Sequence, residues 1–274
     1  MTQPTRIQPV AMLAADVKLF WSLEEERSSY NQDDIIPDSY TELIINVGAP
    51  CTLETDSGKV IALPRAYLNP LQTRPLRFRT QGFIQIISMR VYPWAVRPLL
   101  NVDTDSSDTH IIALDGAWQR YAEYLMRTAH QFGYEEAIQR LQEYVCERAY
   151  RTTHDVSPIR AAGHLLRKSQ GQLRMSELAA HCYLSTSQFE RRFKHYTAVS
   201  PKTYARLIRF EAVRNALMFN PGRRPVELAH EFGYSDQAHF IHDFKAFAAC
   251  TPGEFALQAQ ANFDSAEIAR WWAA

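Results

Sequence analysis

Between Leu184 and His195 the chain places Ser185, Thr186, Ser187, Gln188, Glu190, Arg191 and Lys194 around Phe189 and Phe193. Four residues apart on a helix, the two phenylalanines share one face. The hydroxyl, amide, carboxylate and guanidinium groups are left on the others. Such groups are the donors and acceptors that hydrogen-bond base edges in a DNA major groove, and the cations among them pair with phosphate. The arrangement returns fifty-one residues later: Phe240 and Phe244 bury one face, and Gln237, Ala238, Ile241, His242 and Lys245 are left outward.

The two segments belong to an internal direct repeat. Leu178-Ala179 recurs as Leu228-Ala229, Phe193-Lys194 as Phe244-Lys245, Ser200-Pro201 as Thr251-Pro252, and Tyr204 as Phe255. The first of these pairs is offset by fifty and the later ones by fifty-one, so the second copy carries one extra residue in its turn, and the matching positions imply two copies of one supersecondary unit. Each copy reads as helix, tight turn, helix. Ser185 with Gln188 forms a capping box for the second helix of the first unit, and Asp236 caps the corresponding helix of the second. An α-helix fits the major groove and offers its N-terminal side chains to bases.

Ser200 followed by Pro201 is a helix start signal, and the helix it opens runs to about Leu217. At ~1.5 Å per residue it spans roughly 27 Å. Adding the width of the units sets the two reading helices about one DNA turn, ~34 Å, apart. Lys202, Arg206, Arg209 and Arg214 lie on this bridge, placed either for phosphate or for solvent.

The elements that must position these units divide the chain. Residues 1–150 form a β-rich body with trailing helices, 151–157 a polar linker, 158–260 the double helix-turn-helix domain, and 261–274 a tail bearing Trp271-Trp272. The short apolar runs at 42–47, 65–69 and 83–91 read as strands, with turn signals at Pro37-Asp38, Gly48-Ala49-Pro50, Asp56-Ser57-Gly58 and Gln81-Gly82. From Asp115 the period changes to three and four: Trp118, Tyr121 and Leu125, then Ile138, Leu141, Tyr144 and Val145, broken at Gly133. The helical hairpin either covers the sheet or offers a contact surface. The expected fold class is α+β: an N-terminal β-rich barrel with a helical hairpin and a C-terminal all-α domain.

Charge divides with the domains. Residues 1–156 hold 15 Lys and Arg against 20 Asp and Glu, a net −5, and residues 157–260 hold 14 against 8, a net +6. A basic module on an acidic one favours a polyanion for the C-terminal part. No apolar run reaches the roughly 18 residues of a membrane span, and no signal-peptide pattern opens the chain; a cytoplasmic protein is expected. The four cysteines, Cys51, Cys146, Cys182 and Cys250, lack the spacing of a zinc or redox site.

Arg74, Arg77, Arg79 and Arg90, with Trp94, are candidates for a pocket holding an anionic effector; strand-end ion pairs and core packing are the alternatives. His239 and His242 stand three apart on a helix without a carboxylate or thiol to complete a metal set. Residues 1–109 contain no histidine, which argues against a three-histidine metal site in a barrel. No nucleophile elbow, phosphate loop or zinc-hydrolase motif is present. No catalytic residue, metal or cofactor is expected, and an enzymatic N-terminal domain is the remote alternative.

The segments LAAHCYLSTSQFERRFKHYTAVSPKTYARLIRF and LAHEFGYSDQAHFIHDFKAFAACTPGEF, within residues 158–258, resemble the AraC/XylS family of transcription regulators. The resemblance implies seven helices, with two helix-turn-helix units bridged by a long one. It offers Ser187, Gln188, Glu190 and Arg191 of the first unit and Gln237, Ala238, Ile241 and His242 of the second to bases, and promoter DNA and RNA polymerase as partners. Two departures stand out: Tyr183 occupies a turn position where the family has glycine, and His242 one where arginine is common. PDSYTELIINVG, PRAYLNPLQTRPLRFRTQG and ISMRVYPWA more loosely resemble the sensor-like, cupin-like domain of one branch of the family. That likeness implies an activator whose N-terminal domain senses an effector or dimerises. A small-molecule effector and a homodimer are both left open, and the rival is a regulator controlled by protein contacts alone.

Overall fold

The computed structural model describes residues 5–55, 58–104 and 111–261. Eight antiparallel strands form one sheet: β1 (Thr5–Ile7), β2 (Val17–Ile35), β3 (Thr41–Asn46), β4 (Thr52–Glu54), β5 (Val60–Ala62), β6 (Ala66–Asn69), β7 (Leu76–Val91) and β8 (Ile112–Ala113). The strand order is β1-β2-β7-β3-β6-β8, with β4 pairing β5 and β7. Side chains alternate between two faces. Phe20, Leu43, Ile45, Leu68, Ile87, Met89 and Val91 belong to the large core under the helices, while Leu19, Trp21, Ile44 and Tyr67 fill the other face.

One turn signal is corrected. Gln81-Gly82 does not separate two strands: β7 continues through it, with Gly82 at φ 85° opposite a register shift between Arg27 and Asn31 of β2. A glycine in the left-handed region lets the long strand bend where its partner carries extra residues. Asp56 and Ser57 lie outside the described residues.

After a 3-10 turn at Pro93–Ala95, α1 (Val96–Leu100) leads towards the hairpin α2 (Gly116–Phe132) and α3 (Tyr134–Arg151). Asp115 caps α2 by accepting from the Trp118 amide at 3.0 Å, and Gly133, at φ 92°, breaks the pair. Trp118, Leu125, Ile138, Leu141 and Val145 are buried in the sheet's core, so the hairpin covers the sheet.

Seven described helices follow: α4 (Ser157–Lys168), α5 (Met175–His181), α6 (Thr186–Thr197), α7 (Pro201–Phe219), α8 (Pro225–Glu231), α9 (Gln237–Ala248) and α10 (Pro252–Ala261). The expected β-rich body and all-helical C-terminal part are both found, a mixed α+β architecture. Two cores divide the helices unevenly. Leu178, Phe189, Phe193 and Tyr204 join the core of the sheet through Trp94, whereas Phe210, Leu228, Phe240, Phe244 and Phe255 form a separate one. The tail from residue 262, with Trp271-Trp272, lies outside the described residues.

Candidate nucleic-acid interface

The first unit is built as its sequence requires. Ser185 accepts from the Gln188 amide at 3.3 Å, and the Gln188 side chain accepts in return from the Ser185 amide at 3.0 Å. Phe189 and Phe193 are fully buried, their rings 5.6 Å apart. Ser185, Thr186, Ser187, Gln188, Glu190, Arg191 and Lys194 are all exposed on α6 and its cap. The box has a consequence for Gln188: its carbonyl oxygen is spent on the cap, which leaves the amide NH2 for an outside partner.

In the second unit Asp236 accepts from the His239 amide at 2.7 Å, and the His239 ring meets the Ser235 hydroxyl at 3.1 Å. Phe240 and Phe244 are buried, and Gln237, Ala238, His242 and Lys245 are exposed on α9. Ile241 is half-buried against the second core and offers less apolar surface than its spacing implied.

The bridge α7 starts as expected, with Ser200 accepting from the Thr203 amide at 3.0 Å and Pro201 following. Its cations are the main correction. Arg206 grips the buried Asp243 of α9 with Nε 2.9 Å from Oδ1. Arg209 donates to the carbonyls of Gly171 and Gly233 at 3.2 and 3.3 Å and lies over the Tyr234 ring. Arg214 is buried and donates to the Pro37 carbonyl at 3.0 Å. Each of the three thus has an acceptor within the chain. Lys202 remains exposed.

The cations without a carboxylate partner among the described residues of this domain are distributed unevenly. Lys168, Arg174, Arg191, Arg192, Lys194 and Lys202 lie between the end of α4 and the start of α7; Arg209 is engaged by backbone carbonyls, and Lys245 on α9 lies near Glu254. Arg223 and Arg224 of the second unit are paired with Glu231 and Glu227. A polyanion therefore meets uncompensated positive charge chiefly on the first unit.

The five effector candidates do not converge. Arg74 is exposed in the loop before β7. Arg77 pairs with Asp34 at 3.0 Å, and Arg79 with Glu54. Arg90, 1% exposed, is held by Asp38 and lies 3.6 Å from Glu42. Trp94 is fully buried and stacks on Tyr92 with ring centroids 4.8 Å apart. Of the two alternatives the sequence left open, ion pairs account for Arg77, Arg79 and Arg90, and core packing for Trp94. Two surface hollows, of about 230 and 450 Å³, lie instead on the α2–α3 side.

Sequence reasoning missed the seam that ties the C-terminal helices to the sheet. One stripe of α4, at spacings of three and four, carries it. Arg160 is bidentate to Asp16 at 2.8 and 2.6 Å. Gly163 lies against the Trp94 indole, and His164 packs edge-on to Tyr92 and Trp94. Arg167 donates to the Ser39 and Tyr40 hydroxyls and stands 3.7 Å from Glu211 of α7. Glu211 accepts from the Ser39 amide at 3.1 Å, and the Tyr204 hydroxyl donates to the Ser39 carbonyl at 3.1 Å. The Tyr40 ring is shared by two guanidiniums, Arg90 from the sheet at 4.4 Å and Arg167 from α4 at 4.2 Å.

Burial alone would raise the Glu211 carboxyl, but Arg167, Arg214, Arg90 and the Ser39 hydroxyl hold it below the usual range. Burial wins at the two other acids: Asp38 is raised despite Arg90, and Glu42 is pushed up to about 7. The signal available in the sequence was Glu211 and Arg214 interrupting the apolar face of the bridge, where a lone acid must find a buried partner.

Residues 178–258 match a family profile described as a helix-turn-helix domain, and residues 5–112 one described as a domain of unknown function, DUF6597. Among solved structures the chain is similar to ToxT from Vibrio cholerae (11% identity, 87% of this chain and 98% of that one, TM-score 0.46). It is also similar to the C-terminal domain of AraT, a response regulator from Geobacillus stearothermophilus (23% identity, 37% and 85%, TM-score 0.35). A further likeness is to the AraC-like transcriptional activator CuxR (14% identity, 65% and 68%, TM-score 0.26). No curated protein matches the chain.

Proposed function

We propose, on the premise that residues 178–258 are a helix-turn-helix domain of the AraC type, that this protein is a sequence-specific transcription regulator binding double-stranded promoter DNA. The observation that carries the reading is the pair α6 and α9: each is capped, each rests on a buried phenylalanine pair, and each turns a polar face outward. A bridge of 19 residues joins them, roughly 28 Å at ~1.5 Å per residue. Two reading helices on a stiff spacer suit successive major grooves on one side of a duplex.

The base-reading set is Ser187, Glu190 and Arg191 on α6, with the Gln188 amide, and Gln237, Ala238 and His242 on α9. Thr186, Lys194, Lys202 and Lys245 hold phosphate, and Ser185 caps. Glu190 suits the cytosine amino group and Arg191 the acceptor edge of guanine. The role is that of an activator working with RNA polymerase in the cytoplasm, and no reaction is assigned.

Control through domain contact is favoured over an effector held by the arginines, because Arg77, Arg79 and Arg90 are paired with acids of the same chain. A homodimer through the α2–α3 side belongs to the same reading. Selection of bound fragments from genomic DNA tests the whole. The expected result is a shared motif with two half-sites about one helical turn apart. Equal affinity for selected and random duplexes at physiological salt overturns the reading. A thermal-shift screen with metabolites separates effector sensing from contact control.

A further inference from the structure

Tyr183 sits in the turn of the first unit at φ 55°, the left-handed region that tyrosine enters only at a cost. Its counterpart fifty positions later is Gly233, at φ 69°. The two turns close with the same backbone bonds. Leu184 N donates to Ala179 O at 3.0 Å and Tyr234 N to Ala229 O at 2.9 Å; Tyr183 N donates to Ala180 O at 3.0 Å and Gly233 N to His230 O at 3.3 Å. The chain itself therefore contains the unstrained glycine version of this turn, and the first unit departs from it.

Packing does not offset the departure. The Tyr183 side chain is 96% exposed, and neither its ring nor its hydroxyl has a partner among the described residues. Ala198 and Ala249, also left-handed, close the ends of α6 and α9 and carry no large side chain. A strained residue that pays nothing back locally points to an outside contact. Tyr183 stands two residues before Ser185, the cap of α6, so its Cα is at most ~7 Å from the mouth of that helix. Phosphates wall the groove, ~12 Å wide, that such a helix enters. The uncompensated cations Arg174, Arg191 and Lys194 lie on the same unit.

We propose that Tyr183 is a DNA-backbone contact. Its hydroxyl donates to a phosphate oxygen bordering the groove occupied by α6, and its ring lies against the neighbouring sugar. The proposal rests on the reading of α6 as a recognition helix. The contact is indifferent to base sequence, and the second unit has no equivalent, because Gly233 stands there.

The test uses the full chain in anisotropy titrations against a random-sequence duplex and a duplex recovered by selection. Tyr183→Gly melts at or above the parent temperature yet binds both duplexes roughly fivefold more weakly, the worth of one hydrogen bond. Tyr183→Phe keeps the turn and loses most of that factor. Unchanged affinity of Tyr183→Gly overturns the proposal. So does a transcription defect at unchanged DNA affinity, which would assign the ring to a protein surface. Arg191→Ala separates the two levels: if it leaves discrimination between the duplexes intact while Tyr183→Gly weakens both, the base-reading role of Arg191 fails and the Tyr183 contact beside α6 stands.

Discussion

A Cβ placed on Gly163 would stand 2.0 Å from Cζ3 and 2.4 Å from Cε3 of Trp94. No real carbon approaches another so closely without bond formation, so α4 touches the sheet domain through a bare backbone. Trp94 cannot retreat, because it is fully buried and stacked on Tyr92. Gly163→Ala gains about 1 kcal/mol of helix propensity and loses more to overpacking. A net destabilisation of about 1–3 kcal/mol is expected, read as a lower midpoint in denaturant; a raised midpoint would mean the seam yields freely.

Glu42 supplies a pH signature. In the unfolded chain it titrates near its ordinary value of 4.5, and in the fold at about 7. The folded state therefore binds more protons between those values. Its contribution to stability is full below 4.5 and is lost as pH rises through about 7, at most about 3 kcal/mol. Glu42→Gln flattens that slope in melts across the window and raises stability above pH 7. Asp38, also raised by burial, keeps a residual slope of the same sign. Glu211 is held low, so its contribution is lost only as pH falls below the carboxylate range, and Glu211→Gln leaves the Glu42 window unchanged. An unaltered pH profile in Glu42→Gln would contradict the assignment.

The bridge cations are predicted to divide by role. Arg206→Ala orphans the buried Asp243 and lowers the melting temperature, at a cost of about 1–3 kcal/mol. Its effect on the salt dependence of DNA binding is nil. Lys202→Ala leaves the melt alone and reduces the salt slope by about one counterion. Reversal of the two patterns would move Arg206 into the interface.

The two units are predicted to contribute unequally. Arg191→Ala weakens specific binding roughly tenfold or more, and His242→Ala weakens it less, because uncompensated cations crowd the first unit and the second keeps Lys245. Equal or inverted losses in a titration at fixed salt would refute the asymmetry.

What the sequence revealed and what it hid follow from the range of the interactions. The reading helices were legible because their determinants are local: Ser185 with Gln188, Asp236 with His239, and phenylalanines four apart each act within one turn. The seam was not legible, because Ser39 meets Glu211 across 172 residues and Arg160 meets Asp16 across 144. Arg90 and Arg214 looked like ligands for anions for the same reason, since a charged residue announces a need for a partner without naming it. In the sequence the bend at Gly82 reads as a turn, because glycine marks both; only the paired strand distinguishes them.

The link between α3 and α4 spans only 152–156. So short a tether keeps the two docking faces at an effective concentration on the order of millimolar. Surfaces that would bind each other with a dissociation constant of only ~10 μM as separate molecules would then be together ~99% of the time. The closed arrangement therefore needs little intrinsic strength to dominate, and a free competitor of equal affinity for the Pro37–Tyr40 loop would reach parity only near that same concentration, on the order of millimolar.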